Sequence, residues 1–264
     1  RNGKHVYCEK PLATSRADGR QVIDLAHRLN LRVGCAPDTF LGAGIQTCKR
    51  LITEGAIGEP VAANAFMLCH GHESWHPSPD FYYEAGGGPL LDMGPYYLTA
   101  LLELMGPIRR VQGSARATFD ERKTPDGRTI PVDVPTHAVG ILDFESGAIG
   151  QITTSFDVWR NHAPLLEIFG SEGSISVPDP NGFGGPVRIA KQGGEWMDVQ
   201  LYEGRADNAR GIGLIDMVQA INQGTRHRAS GELAYHVLDV MQAVVEASDT
   251  SEAQLIDSLQ TATR

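Results

Sequence analysis

The sequence predicts an α/β plus α+β chain. The C-terminal remnant of a parallel, doubly wound sheet is followed by a large, mostly antiparallel open-sheet domain with flanking helices. Three observations carry this expectation. An apolar run, an amphipathic stretch and a second apolar run fit within the first 37 residues, and strand–helix–strand in so short a span favours a parallel pair with a right-handed crossover. Short strand-like segments then crowd into 108–201 with no helix between them, the spacing of an antiparallel sheet. Apolar residues at helical spacing return only near the end of the chain.

Residues 5–9 form the first predicted strand. Thr14 or Ser15 supplies the N-cap of a helix in which Val22, Ile23, Leu25, Ala26 and Leu29 recur at helical spacing. Residues 32–36 form the second strand. Pro37-Asp38 then divides a first unit, 1–37, from a second, 38–264. A helix over 42–54 places Ile45, Cys48, Leu51 and Ile52 on one face, and residues 55–60 carry helix-stop and turn chemistry. A strand over 61–69 leads into an irregular loop, 70–84. A helix follows over 90–104, ended by Gly106-Pro107. Pro95 is disfavoured inside a helix but accepted at its first position. A second reading therefore starts the regular helix near Pro95, with Asp92 in an irregular turn before it. Strands are predicted at 108–117, 136–144, 148–155, 165–170, 174–177, 187–190 and 197–201, with Glu145-Ser146-Gly147 as a hairpin-type turn. Helices over 212–223 and 232–247 close the chain, and the last is expected to return to the first unit.

The chain has 264 residues, of which 41% are hydrophobic, and a formal net charge of -9. That composition supports a sizeable core and argues against a nucleic-acid partner, which calls for a basic face. No apolar run reaches the length of a membrane span, and no signal-peptide apolar core follows the first residues. Cys8, Cys35, Cys48 and Cys69 lack Cys-x-x-Cys spacing. Reduced, buried thiols in a cytoplasmic protein are expected, rather than a disulfide framework or a zinc site. His70, His72 and His76 have no supporting carboxylate or cysteine spacing, so no metal site is predicted.

Two segments carry chemistry. Glu9-Lys10-Pro11 closes the first strand. Ligands of open α/β sheets bind outside the carboxyl ends of strands, and proline fixes φ and stops the ladder, so Lys10 is held at a rigid corner. In the second segment Gly86-Gly87-Gly88 precedes Asp92 and Tyr96. The glycines allow a backbone to approach a ligand, and residues four apart share a helix face. Read alone, Asp92 caps a helix and Tyr96 packs in the core; the other reading brings a carboxylate and a phenol together at a ligand. The loop 70–84 gathers His72, Trp75, His76, Phe81 and Tyr82, as a sugar-stacking surface or as cover for a sheet edge. Arg160 and His162 lie just after a strand and face either substrate or solvent. Gly211-Ile212-Gly213 has no strand before it and no third glycine in place, so it opens a helix rather than cradling a phosphate.

The run Gly3-Lys4-His5-Val6-Tyr7-Cys8-Glu9-Lys10-Pro11-Leu12-Ala13 resembles the Gfo/Idh/MocA oxidoreductases, the group of glucose–fructose oxidoreductase and inositol 2-dehydrogenase. The Gly55–Gly58 turn, the glycine–Asp segment and Phe169-Gly170-Ser171-Glu172-Gly173-Ser174 extend the resemblance over most of the chain. It implies an NAD- or NADP-dependent enzyme. Such an enzyme moves a hydride between nicotinamide and a secondary hydroxyl or ketone of a sugar, glycoside or cyclic polyol. It also implies that the first unit is the end of a Rossmann-type domain whose phosphate loop and ribose-reading residue precede this chain. On that expectation the chain alone is inactive, and it does not disclose a preference between NAD and NADP.

By the same resemblance, Lys10 would stand between the nicotinamide and the substrate hydroxyl, with Glu9 and Pro11 on the nicotinamide side. Asp92 would bind substrate and orient the acid/base group. The family has Asp-x-Gly-x-His, and this chain has Tyr96 at the histidine position. Phenols titrate near 10 and imidazoles near 6.5, so Tyr96 serves as a base only beside a cation, for which Lys10 is the candidate. In the alternatives Tyr96 only binds substrate, or Lys10 or His76 is the base. Asp38, His76, Arg160 and His162 complete the expected substrate contacts. A homodimer or homotetramer through the outer sheet face is implied as well. Two rival functions use the same features: a redox-neutral, NAD-dependent glycoside hydrolase, and a sugar-binding or sensor subunit without turnover.

Overall fold

The computed structural model describes residues 2–202 and 204–258. The first unit forms as strand β1 (Val6–Cys8), helix α1 (Arg16–Arg28) and strand β2 (Val33–Cys35), with β1 and β2 parallel and Cys8 opposite Cys35. Ser15 is the cap: its side chain accepts the Asp18 amide, satisfying one of the donors a helix start leaves open. Ile23 and Ala26 are buried, while Val22, Leu25 and Leu29 stay partly exposed.

Helix α2 (Ala43–Thr53) and strand β3 (Pro60–Leu68) follow, then helix α3 (Gly88–Met105). Beyond it come β4 (Ile108–Arg116), the small hairpin β5 (Glu121–Lys123) and β6 (Thr129–Pro131), β7 (His137–Phe144) and β8 (Ile149–Ser155). Strands β9 (Leu166–Gly170), β10 (Gly173–Val177), β11 (Val187–Lys191) and β12 (Met197–Val199) precede helices α4 (Ile212–Gln223) and α5 (Gly231–Thr250) and a short β13 (Gln254–Leu255). The main sheet runs β12-β11-β10-β9-β3-β8-β7-β4-β13. Its neighbours are antiparallel except β3 and β8, which pair in parallel from Ala62 opposite Ile149 to Leu68 opposite Ser155. The mostly antiparallel expectation holds, with this one parallel pair at the centre. Alternation within a strand reports which side chains face the core, not which distant strand lies alongside. The β5–β6 hairpin and β13 are absent from the sequence reading, because two or three residues carry no usable periodicity.

Helix α3 is continuous through Pro95, which replaces the alternative of a helix starting there. Residues 94–102 are buried on every side, as in a core helix. α3 packs on β3, β7 and β8, with α2 and α5 against it. α5 in turn lies across β4, and a Cβ at Gly113 would come within 2.3 Å of the Val244 carbonyl oxygen. The glycine is what lets the helix backbone sit so close. The other side of α5 grips α1. The Arg16 guanidinium bonds Asp239 and Glu246, and Gln242 bonds the Arg16 amide and the Thr14 carbonyl. This docking carries the end of β1 to the N-terminal turns of α3.

Candidate active site

Lys10 reaches from the corner after β1 to α3. Its Nζ donates to Asp92 Oδ1 at 2.8 Å and also to the Asp92 carbonyl. Pro95 brings no N–H to the helical ladder, leaving the Leu91 carbonyl one turn back without its usual donor. The second carboxylate oxygen of Asp92, Oδ2, faces His72 Nε2 at 3.4 Å. Burial pushes the Asp92 carboxyl up. The His72 hydrogen bond and the Lys10 charge outweigh it, and the group titrates below its usual value. Asp92 therefore stands ionised between two nitrogen bases at neutral pH.

Tyr96 lies one turn further along α3 and is 7% exposed. Lys10 Nζ is 5.3 Å and Arg210 Cζ 5.6 Å from its ring centroid, both within cation–π range. The hydroxyl, however, accepts from Arg210 Nη1 at 3.4 Å, and Arg210 Nη2 is anchored by Asn181 Oδ1 at 2.6 Å. The expected Tyr96–Lys10 pair thus exists at the ring and not at the phenol oxygen. The ammonium is committed to Asp92.

The loop 70–84 supplies the opposite wall. The His72 ring meets Tyr82, Phe156 and Trp75 edge-on, with centroids 4.5, 4.7 and 5.2 Å away. Its neighbour Glu73 is buried and held by a closed ionic network. Arg122 of β5 donates to Glu73 Oε1 at 3.0 Å, to Asp157 Oδ1 at 2.7 Å and to the Phe156 carbonyl at 2.7 Å. Tyr83 donates to the other Glu73 oxygen, and Thr136 to Asp157 Oδ2. Burial first, and the Glu73 hydrogen bond second, raise the Tyr83 phenol, keeping it a donor. Buried charges are tolerated when each is paired and hydrogen-bonded.

The remaining expected residues separate. His76 sits one ring further out, against Trp75, Phe81 and Tyr82, with Nδ1 accepting the Ser78 amide. Asp38 is buried, and its Oδ2 accepts the Gly211 and Gly213 amides at 2.7 and 3.0 Å. That capping of α4 accounts for Asp38, expected at the substrate, and for the Gly211-Ile212-Gly213 motif together. Arg160 and His162 are exposed, and among the described residues neither is bonded to Lys10, Asp92 or Tyr96. Glu9 is exposed and Pro11 half-buried at the corner that holds Lys10. The sequence reading noticed His72 only as one of two histidines near aromatics, since spacing does not say which turns toward α3. Nothing local to Arg210 or Arg122 marked either one. A cavity of about 740 Å³ lined by Gln46, Lys49, Arg50 and Tyr202 contains none of these groups.

Residues 45–176 match the model of the GFO/IDH/MocA C-terminal domain. The chain is 28% identical to a 1,5-anhydro-D-fructose reductase of Ensifer adhaerens, over 98% of this chain and 74% of that protein. It is 29% identical to a myo-inositol 2-dehydrogenase of Thermotoga maritima, over 65% of this chain and 48% of that protein, so the match spans about half of that relative. Among solved structures, a levoglucosan dehydrogenase in complex with NADH and L-sorbose superposes with a TM-score of 0.81 at 22% identity, covering 98% of this chain and 75% of that one. The family model covers half of the chain, and this chain belongs to the Gfo/Idh/MocA family.

Proposed function

We propose that the protein is an NAD(P)-dependent oxidoreductase. It oxidises a secondary hydroxyl of a sugar, glycoside or cyclic polyol, or reduces the corresponding ketone. The single observation that carries this is Lys10, fixed at the carboxyl end of a parallel strand and bonded to Asp92 at 2.8 Å. The corner fits the nicotinamide end of a dinucleotide: parallel strand ends are where such ligands bind, and Glu9, Lys10 and Pro11 would hold it there. When bound, the nicotinamide supplies the hydride acceptor or donor.

The chain's own groups do the rest. Lys10 donates to the reacting oxygen and stabilises negative charge developing on it. Asp92 holds Lys10 in place and accepts from a neighbouring substrate hydroxyl. Tyr96 closes the side of the site nearest Arg210, and the rings of Trp75 and Tyr82 offer apolar faces to a sugar ring. The relatives named above are a reductase and two dehydrogenases, which favours net hydride transfer over redox-neutral cleavage or a sensor role. The outer sheet face exposes Ile141 and Ile149 on β7 and β8, apolar side chains that suit association of copies.

The test is nicotinamide absorbance on a panel of pyranoses, glycosides and cyclic polyols with NAD and NADP. Turnover by the full-length wild-type protein and a loss of at least about a hundredfold in kcat/KM for Lys10→Met, measured on its folded fraction, are expected. Full activity of Lys10→Met sinks the reading.

A further inference from the structure

We propose that His72, a residue outside the Asp92–Tyr96 motif, is the proton acceptor of this site, in the place that Tyr96 leaves chemically unfilled. The inference rests on the oxidoreductase reading above and assigns its acid/base group. Four observations carry it.

The first is the contact with Asp92. Asp92 presents Oδ1 to Lys10 and Oδ2 to His72 Nε2, so one carboxylate orients both a charged donor and an imidazole. A base oriented by a third group is the arrangement that proton-transfer sites use. The 3.4 Å separation is of the kind that tightens when substrate binds.

The second is the second ring nitrogen. With Nε2 turned to Asp92, Nδ1 makes no hydrogen bond with the described residues, and it is not among the buried atoms left without a partner. It remains available to an incoming hydroxyl.

The third is rigidity. Glu73 follows His72 directly and is clamped by Arg122 and Tyr83, while the His72 carbonyl accepts the Trp75 and His76 amides. A group that must meet a reacting proton gains from such a supporting shell. The loop is built to hold this ring.

The fourth is the state of Tyr96. Its oxygen is engaged by Arg210, and Lys10 lies over its ring rather than at its hydroxyl. An imidazole is also the better-matched base near neutrality than a phenol.

In the oxidative direction the substrate O–H bond breaks and its proton forms an N–H bond at His72 Nδ1. The electron pair left on oxygen forms the carbonyl as the carbon releases hydride to the oxidised nicotinamide. Lys10 remains protonated throughout and binds the oxygen. In reduction His72 returns the proton.

The experiment uses the intact protein with cofactor and the best substrate of the panel. His72→Gly is expected to lower kcat by about 10²–10⁴-fold with a much smaller change in KM, and added imidazole to restore turnover in proportion to its concentration. His72→Gln, which keeps the side chain's bulk and polarity, is expected to lose kcat equally and to gain nothing from imidazole. Tyr96→Phe is expected to cost less than about tenfold. A turnover-independent readout is carbethoxylation of His72 by diethyl pyrocarbonate, followed by mass spectrometry and expected to be blocked by that substrate. Unchanged kcat in His72→Gln overturns the assignment, and so does a larger loss in Tyr96→Phe than in either His72 variant. An absence of turnover by the full-length wild-type protein across the whole panel overturns the oxidoreductase reading itself, and the two failures are told apart before any variant is made.

Discussion

The two walls of the site are held by opposite means. Asp92 and Tyr96 stand on α3, whose residues 94–102 are buried among apolar neighbours. His72 stands on an irregular loop whose anchor is an Arg122–Glu73–Asp157 network at 4–9% side-chain exposure. A helix needs only an apolar stripe to be placed, because its own backbone is satisfied internally. A loop with no repeating backbone bonds needs side chains to fix it. The molecule uses its costliest interactions where regular structure is missing, beside the group that faces Asp92.

The comparison breaks most sharply at Arg122. Replacing it with Leu strands two carboxylates in a buried site and is expected to cost about 3–5 kcal/mol, read as a lower denaturation midpoint with loss of His72 positioning. If Arg122→Leu proves neutral, the loop is held by its aromatic contacts and the ionic anchor is incidental. On the other wall, Leu101 is fully buried, and Leu101→Ala is expected to cost about 2–5 kcal/mol, with KM for substrate nearly unchanged in the fraction that stays folded. A selective loss of substrate affinity there would instead mean that α3 packing tunes the site.

Acid separates the walls further. Asp92 is held below its ordinary range, so its pairing persists until the pH falls through that lowered value. His236, by contrast, is fully buried between α5 and β4, where Nε2 accepts the Ile108 amide at 3.2 Å. Burial pushes its imidazole down to about 4. The unfolded chain binds that proton near 6.5 and the native state only near 4. Stability is therefore full above about 6.5 and falls as pH drops toward 4, by up to about 3 kcal/mol. Chemical denaturation at pH 7.5 and 5, in wild type and His236→Gln, checks this; the wild type is expected to lose stability over that step and the variant to lose much less. An equal loss in both would assign the acid sensitivity to other groups.

The smallest expected effect is at Tyr83. Tyr83→Phe removes one donor from Glu73 while leaving Arg122 in place, and is expected to cost about 1–2 kcal/mol with kcat reduced only a fewfold. A loss as large as that of Arg122→Leu would show that the phenol, and not the guanidinium, is the principal clamp of the loop.

Much of this molecule was legible in its residues. The β1–α1–β2 unit, a cap at Thr14 or Ser15, most strands of the main sheet and the buried α3 all follow from periodicity and turn chemistry, which are local properties of the chain. The Lys10 corner and the closeness of Asp92 and Tyr96 were legible for the same reason. What local pattern does not contain is the identity of partners far along the chain. The parallel β3–β8 pairing and the capping of α4 by Asp38 join distant segments. So do the turn of His72 toward Asp92 and the approach of Arg210 to Tyr96. These depend on which faces bury most apolar surface together while leaving every enclosed charge paired, a condition that only the assembled chain satisfies.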